Sequence, residues 1–576
     1  MSLKNITIGE DSFRRIRERG YCYIDKTGFI EEFLVSPFDK VTLLTRPMRF
    51  GKSLLLDTVD EFFNINKESS KIFSDLTIAT NKEICSTWMN KFPTLTLTFN
   101  SFSDQTFQDF IENFAFAAKR SLDPHFENIV NTKNEFIDKD YFNRLFRRKL
   151  SLNELKNYLS TTTCELAKIY NQNVIVLIDE YDVPLFNAWK YNYYDEMLNF
   201  IRNLFGTAFK SNKSLEFAIL TGCLRISKES IFTGVNNFNT YDIDKERYAD
   251  KFGFTNYEID KLLQENKLEK IKPKIKEWYD GYIFGINQEI YCPWDILMYL
   301  ADIQGNNSFE PKLYWINTSE NAIITELINK YASILHQEIE ELISGKNIYA
   351  KINDNITYRY IDTIEENFWS MLYFSGYLTK TTAALQSEKS STSLTEAEPN
   401  AHKKLTKLTI PNKEIKEIFM QAADQWFCHF AAKSDRTAFF KALWTGDSET
   451  CASQLTQFLR QSISYFNSHF AFVHGFLCGI FFKSPYRVIS DHEFGEGRPD
   501  LVVFDEEQNQ ACIIEVKYTA DAKRLKQLPI AALTQIKTRD YVRGGDCANY
   551  SKVIAWGLGF ARKECQASCL WLKKAL

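Results

Sequence analysis

Pro499-Asp500-Leu501-Val502-Val503-Phe504 and, further on, Cys512-Ile513-Ile514-Glu515-Val516-Lys517 read as two apolar strands that each present a carboxylate, with fourteen residues between Asp500 and Glu515. The strand period of two puts Glu515 and Lys517 on one face and turns Val516 to the other. Two carboxylates on neighbouring strands can hold Mg²⁺ or Mn²⁺, because hard cations favour oxygen ligands. Lys517 beside a metal-bound water would favour its ionised form. This is the layout of metal-dependent phosphodiester cleavage. Around it the sequence predicts a helix near 464–482, a strand near 486–492, a helix near 529–541 carrying Gln535 and Tyr541, and a strand at 552–558. The expected order is α-β-β-β-α-β.

A second chemistry lies near the other end. Val41-Thr42-Leu43-Leu44-Thr45 reads as a buried strand, followed by Arg46-Pro47-Met48-Arg49-Phe50-Gly51-Lys52-Ser53 and a helical run. Strand, loop, Gly-Lys-Ser and helix form the frame of a phosphate-binding P-loop, although Arg46 stands where the usual pattern opens with Gly. Backbone N–H groups at a helix N-terminus face phosphates, and the helix dipole favours their charge. Arg49 and Gly51 would line the phosphates, Lys52 would reach the β/γ pair, and Ser53 would ligate Mg²⁺. Val174-Ile175-Val176-Leu177-Ile178 reads as a fully buried parallel strand ending in Asp179-Glu180. Asp179 would join the Mg²⁺ shell and Glu180 would polarise the attacking water. The strand near 215–220 ends at Thr221, a candidate γ-phosphate sensor, and Arg225 is a candidate to stabilise developing phosphate charge.

The N-terminal half resembles an AAA-ATPase-like family, and the C-terminal unit resembles the PD-(D/E)XK nuclease superfamily. The first resemblance is carried by Gly20-Tyr21-Cys22-Tyr23-Ile24-Asp25-Lys26-Thr27, the Arg46-to-Ser53 string and Asp179-Glu180-Tyr181-Asp182. It continues through Trp278-Tyr279-Asp280-Gly281-Tyr282, Tyr291-Cys292-Pro293-Trp294, Tyr314-Trp315-Ile316-Asn317-Thr318, Phe374-Ser375-Gly376-Tyr377 and Ile410-Pro411-Asn412. The resemblance implies that Arg46 is the family's usual residue, that ATP is the nucleotide, and that the action is on nucleic acid. For the second domain it implies Asp500, Glu515 and Lys517 as the eponymous residues, with Gln535, Tyr541 and His474 in support. Related sequences carry an acid beside that His, and Phe470-Ala471-Phe472-Val473-His474 has none. The expected fold is α/β: an N-terminal P-loop (AAA-like) parallel-sheet domain with a helical lid, then a restriction-endonuclease-like α/β domain.

Composition bounds these readings. At 576 residues, with 44% hydrophobic and 15% aromatic content, the chain is long enough for several cores and too apolar for disorder. A net charge of −4 excludes a global basic field, although residues 483–576 carry 15 Lys+Arg against 12 Asp+Glu. The 12 cysteines show no recurring C-x-x-C pair, which argues against zinc and suits reduced thiols. The apolar window 470–482 is too short to cross a bilayer, and residues 1–10 lack a signal-peptide core. The expectation is a cytoplasmic protein with no membrane partner.

The domain boundaries read as 1–250 for the ATPase, 251–410 for the lid and connecting region, and 411–576 for the nuclease-like unit. A low-complexity stretch at 383–404 reads as a mobile hairpin loop. Thr255-Asn256-Tyr257-Glu258 is a capping box opening a lid helix through 265. Helices are expected at 106–120 and 152–170, and a strand at 92–99. The leading functional reading is an ATP-hydrolysing protein with a Mg²⁺-dependent nuclease domain, acting on DNA in preference to RNA. The alternative is an ATP-switched regulator that grips nucleic acid or protein through an inactive nuclease fold. A homo-oligomer is compatible with both, since AAA-like ATPases can form rings.

Overall fold

The computed structural model describes residues 6–35, 39–226, 238–306, 310–315, 335–353, 356, 365–381, 405–421, 435–462, 470–481, 484–490, 499–519, 521–539, 541, 546–561 and 563–573. It forms two compact units, Met1–Asn317 with Tyr349–Ile415 and Thr318–Ile348 with Lys416–Leu576.

The first unit is built on five strands: β1 (Val41–Thr45), β2 (Thr94–Thr98), β3 (Val174–Asp179), β4 (Leu215–Gly222) and β5 (Phe238–Tyr241). Their order is β2-β3-β4-β1-β5, and every pairing is parallel. β1 and β3 are buried along their whole length, and β3, covered on both faces, carries continuous aliphatics from Val174 to Ile178 where an edge strand alternates. β2 is such an edge, with Thr96 and Thr98 exposed. The order places β4 between the strand feeding Gly-Lys-Ser and the strand ending in Asp-Glu.

The helix expected at 106–120 spans Phe107–Arg120, where the Thr106 side chain accepts from the Asp109 amide. The helix expected over 152–170 is two. Leu152–Lys156 opens on a Ser151 capping box, and the chain leaves helical geometry at Asn157 before Tyr158–Tyr170. The Thr255 capping box opens Asn256–Asn266. The region expected to be a helical lid also holds two small sheets. One is β6 (Phe254–Thr255), β7 (Tyr282–Phe284) and β8 (Gln288–Tyr291), in the order β6-β8-β7. The other is β9 (Ile348–Lys351), β10 (Thr379–Lys380) and β11 (Leu405–Thr409), in the order β10-β11-β9. These strands are two to five residues long, too short for periodicity to reveal. β10 and β11 pair antiparallel, and the hairpin loop expected at 383–404 lies outside the described residues.

The same region buries two acids. Asp295, in the first turn of the helix Pro293–Asn306, and Glu414 are both fully buried. Glu414 Oε1 accepts from the Tyr314 amide and from the Trp315 amide, the latter at 2.8 Å. Burial raises both carboxyls above their ordinary range, and Asp295 raises Glu414 further. Because the folded state keeps protons that the unfolded chain gives up, this stability is complete at acid pH and is lost as pH rises through the raised values. Glu414→Gln keeps the acceptor oxygen without the titration. We expect its melting temperature to exceed that of wild type at pH 9, with the gap closing towards pH 5. Parallel melting curves for the two proteins across that range would refute the assignment.

The second unit centres on β12 (Arg487–Ser490), β13 (Leu501–Asp505), β14 (Gln510–Tyr518), β15 (Lys552–Ala561) and β16 (Glu564–Lys573), in that order across the sheet. Only β14 and β15 run parallel; the other pairings are antiparallel. The helices Phe470–Phe481 and Leu528–Thr538 flank it in the chain order the sequence predicted. β16 is an addition to the expected order: Cys565, Ala567, Cys569 and Trp571 keep the strand period and pack on one core, while Leu572 turns to the other. The expected late helix ends at Thr538, so Tyr541 lies beyond it and not on it as expected. Tyr541 is buried all the same.

Candidate functional site

In the first unit the chain leaves β1 through the loop 46–51 and enters the helix Lys52–Phe63 with Gly51 at its N-cap, in left-handed geometry. Arg46 is fully buried. Its Nη1 donates to the Thr45 and Tyr241 carbonyls, both at 2.8 Å, and its Nη2 donates to the Tyr248 carbonyl at 3.0 Å. The guanidinium also lies 4.8 Å from the Phe252 ring centre. Burial pulls its pKa down to about 10, opposed by Asp242 and Asp244. The residue in the Gly position of the usual motif is therefore a bolt fixing the loop to the 241–248 segment. Arg46→Met should cost at least about 3 kcal/mol, since three carbonyls lose a charged donor; a urea midpoint equal to that of wild type would contradict this.

Arg49 reaches to the 294–314 segment. Its guanidinium lies 4.0 Å from the Trp294 ring centre, and Nη1 donates to the Tyr314 carbonyl at 3.2 Å. Lys52 is buried, with Nζ donating to the Arg46 and Pro47 carbonyls at 3.1 Å each and reaching Cys223 Sγ at 3.4 Å. Burial opposes its charge, but Cys223, Glu180, Asp182 and Asp179 outweigh that and raise its pKa. Ser53 follows in the first helical turn and is half-buried.

Across β4, the Thr221 hydroxyl donates to Asp179 Oδ1, joining two of the expected residues directly. Glu180 has φ 53° and Arg49 φ 67°, left-handed values that non-glycine residues avoid. Such strain, of order 1–3 kcal/mol per residue, persists where surrounding structure imposes it and clusters at functional sites. Beside Glu180 such contacts are made by Tyr181 and Asp182, whose roles the sequence did not reveal. Asp182 Oδ2 accepts from the Cys223 and Leu224 amides at 2.9 Å each, and Tyr181 Oη donates to the Leu224 carbonyl at 2.7 Å. A methyl on Gly222 would lie 2.6 Å from Asp182 Oδ1 and 2.7 Å from the Tyr181 ring, so only glycine fits there. Arg225 follows this lock and is half-buried. Beside Gly51 and Leu54 opens a mainly apolar cleft walled by Cys22, Ile24, Phe254, Pro293 and Leu297. Of the stretches singled out in the sequence, Gly20–Thr27, Arg46–Ser53 and Tyr291–Trp294 each contribute to its wall.

In the second unit Asp500 precedes β13, and Oδ2 accepts from the Val516 amide at 2.6 Å, which holds it against β14 between Glu515 and Lys517. Lys517 Nζ donates to Glu515 Oε1 at 3.1 Å and to Gln535 Oε1 at 2.6 Å. Gln535 in turn donates to Tyr541 Oη at 3.4 Å. Glu515, Lys517, Gln535 and Tyr541 therefore form one hydrogen-bonded chain, with Asp500 anchored beside it on the Val516 amide. Glu515 is 2% exposed, and its Oε2 is buried without a hydrogen-bond partner. Burial, then the facing Asp500, pushes its pKa up to about 7 against the pull of Lys517. An orphaned carboxylate oxygen beside a second carboxylate is a donor set that fits a hard divalent cation. No cluster of three or more His, Cys, Asp or Glu side chains suited to a metal occurs among the described residues. His474 falls on the helix Phe470–Phe481, but its side chain lies outside the described residues.

Residues 7–232 match the family described as "Predicted AAA-ATPase", and residues 471–568 match the PD-(D/E)XK nuclease superfamily. The chain joins an AAA-ATPase-like domain to a PD-(D/E)XK domain. It is also similar to an uncharacterized protein in the vnfD 5' region of Azotobacter chroococcum mcd 1, 28% identical over 332 residues. That match spans 57% of each chain, so this chain covers little more than half the length of its relative. No helix among the described residues is long and apolar enough to cross a membrane.

Proposed function

We propose that the AAA-ATPase-like domain binds and hydrolyses ATP, and that the PD-(D/E)XK domain cleaves phosphodiester bonds of nucleic acid with Mg²⁺ or Mn²⁺. The observation that carries the second half is the Asp500–Glu515–Lys517 arrangement with the orphaned Glu515 Oε2. Asp500 and Glu515 would hold the divalent ion, which when bound supplies charge stabilisation at the scissile phosphate. Lys517, steered by Gln535, would hold its proton at Nζ towards that phosphate, and Tyr541 would fix the Gln535 amide. In the first domain Lys52, with Gly51 behind it, would face the β/γ-phosphates, and Ser53 and Asp179 would hold Mg²⁺. Thr221 orients Asp179, Glu180 would take the water's proton, and Arg225 would answer charge on the γ-phosphate. Arg49 would join them by leaving Trp294. The apolar cleft beside Gly51 suits a nucleobase. DNA is the preferred substrate in this reading, and the location cytoplasmic.

One observation favours a second reading. Only two carboxylates meet at the C-terminal site among the described residues, which suits an ATP-switched protein that grips nucleic acid without cutting. Incubating labelled single- and double-stranded DNA and RNA with Mg²⁺ or Mn²⁺, with and without ATP, separates the two. Metal-dependent cutting supports the nuclease; binding and ATP turnover with every substrate intact supports the switch.

A further inference from the structure

Five exposed cations gather beside the Lys517 site. The 3-10 turn Ala522–Gln527 and the helix Leu528–Thr538 follow β14 directly. Over 521–539 the chain carries Lys523, Arg524, Lys526, Lys537 and Arg539 against the single acid Asp521, in a protein whose net charge is −4. All five side chains are exposed, while Leu525, Pro529, Ala532 and Ile536 point inward. The placement follows from two glycines in β15. Gly557 and Gly559 pair with Glu515 and Lys517 across the parallel ladder. A methyl on Gly557 would collide with the Pro529 carbonyl, and one on Gly559 would lie 2.7 Å from Leu528 Cβ and 3.3 Å from the Leu525 carbonyl. The turn and the start of the helix therefore rest on the backbone of β15, one strand spacing of about 4.8 Å from Glu515 and Lys517. Thr534, Lys537 and Thr538 share the outer helical face, while Gln535 reaches Lys517 from the inner one.

We infer that this strip, Lys523, Arg524 and Lys526 on the turn with Lys537 on the helix, binds the phosphate backbone of a nucleic-acid strand and lays it across the Asp500–Glu515–Lys517 site. The inference rests on the proposed nuclease reading and adds the surface that holds the substrate. Lys523, Arg524, Lys526 and Lys537 are exposed, and Arg524 Nε stands 3.9 Å from Asp521, so these four are open to phosphate contact. The strip meets phosphates and reads no base, so the DNA preference of the proposed reading does not come from it.

The test is fluorescence anisotropy of the full chain with labelled 30-base-pair DNA and RNA duplexes, in EDTA so that nothing is cut, over a series of salt concentrations. Reversing Lys523, Arg524 and Lys526 to Glu should weaken binding at least about tenfold. It should also flatten the plot of log K against log salt by about 0.9 for each DNA phosphate that is no longer neutralised. Lys523→Glu alone should weaken binding measurably more than Lys552→Glu, the same charge change at the far end of β15. A triple Gln variant repeats the test should the Glu variant melt early. Wild-type binding to neither duplex overturns the nuclease reading and the strip together. Wild-type binding with an unchanged affinity and slope in the triple variant overturns the strip alone, as does an equal loss in Lys552→Glu.

Discussion

Lys517→Ala removes metal-dependent cleavage, with the rate falling by at least about 10²–10³-fold, the scale set by losing one charged group aimed at a reacting phosphate. The side chain donates to Glu515 and Gln535 and is half-exposed between them, so its charge serves the site and not the core. Its loss acts twice. It removes the cation at the scissile phosphate, and it releases the side chain that most draws the Glu515 pKa down against burial and the Asp500 charge. Glu515 then holds its proton more tightly, so Mg²⁺ must displace that proton at neutral pH and binds more weakly. The variant should therefore need more metal than wild type, with the deficit narrowing as pH rises from 6 to 8. ATP turnover, housed in the other domain, should not change. Full cleavage by Lys517→Ala at ordinary Mg²⁺ would remove this lysine from the chemistry.

Lys52→Ala should reduce ATP turnover by about 10²–10³-fold, the scale for losing one preorganised donor to a developing charge. The ammonium is buried among loop carbonyls and faces Cys223, Glu180, Asp182 and Asp179. Removing it takes a counter-charge from those groups, so some loss of stability accompanies the loss of activity. Binding of a fluorescent ATP analogue, measured beside the melting curve, separates the two effects. A folded variant that binds the analogue weakly and leaves cleavage insensitive to ATP ties the nucleotide to the N-terminal domain. A folded variant with normal turnover would end the P-loop assignment.

The local readings in the sequence rested on rules that act within a few residues. Val174–Ile178 declared a strand buried on both faces because five consecutive aliphatics admit little else, and a strand does occupy Val174–Asp179. Thr255 to Glu258 declared a helix start because a capping box satisfies its own amides. The alternation in Glu515-Val516-Lys517 put the acid and the lysine on one face, and the two side chains meet at 3.1 Å. Gly51-Lys52-Ser53 likewise marked the junction of strand, loop and helix.

What the sequence could not disclose depends on partners far along the chain. Arg46 read as a departure from a glycine motif, yet its carbonyl acceptors on Tyr241 and Tyr248 stand 195 and 202 residues away. Arg49 reads as a phosphate ligand from its place in the loop, and its stacking on the Trp294 ring could not be read from that place. Tyr541 was placed on a helix that ends three residues earlier, and reaches Gln535 from the chain beyond it. The elements and their polar ends were thus determined by the sequence itself, because backbone sterics and side-chain period act locally. Which side chains face one another, which charges are buried together and which glycines admit a neighbouring backbone were decided by tertiary packing alone, because each of those arrangements exists only once distant segments close on one another.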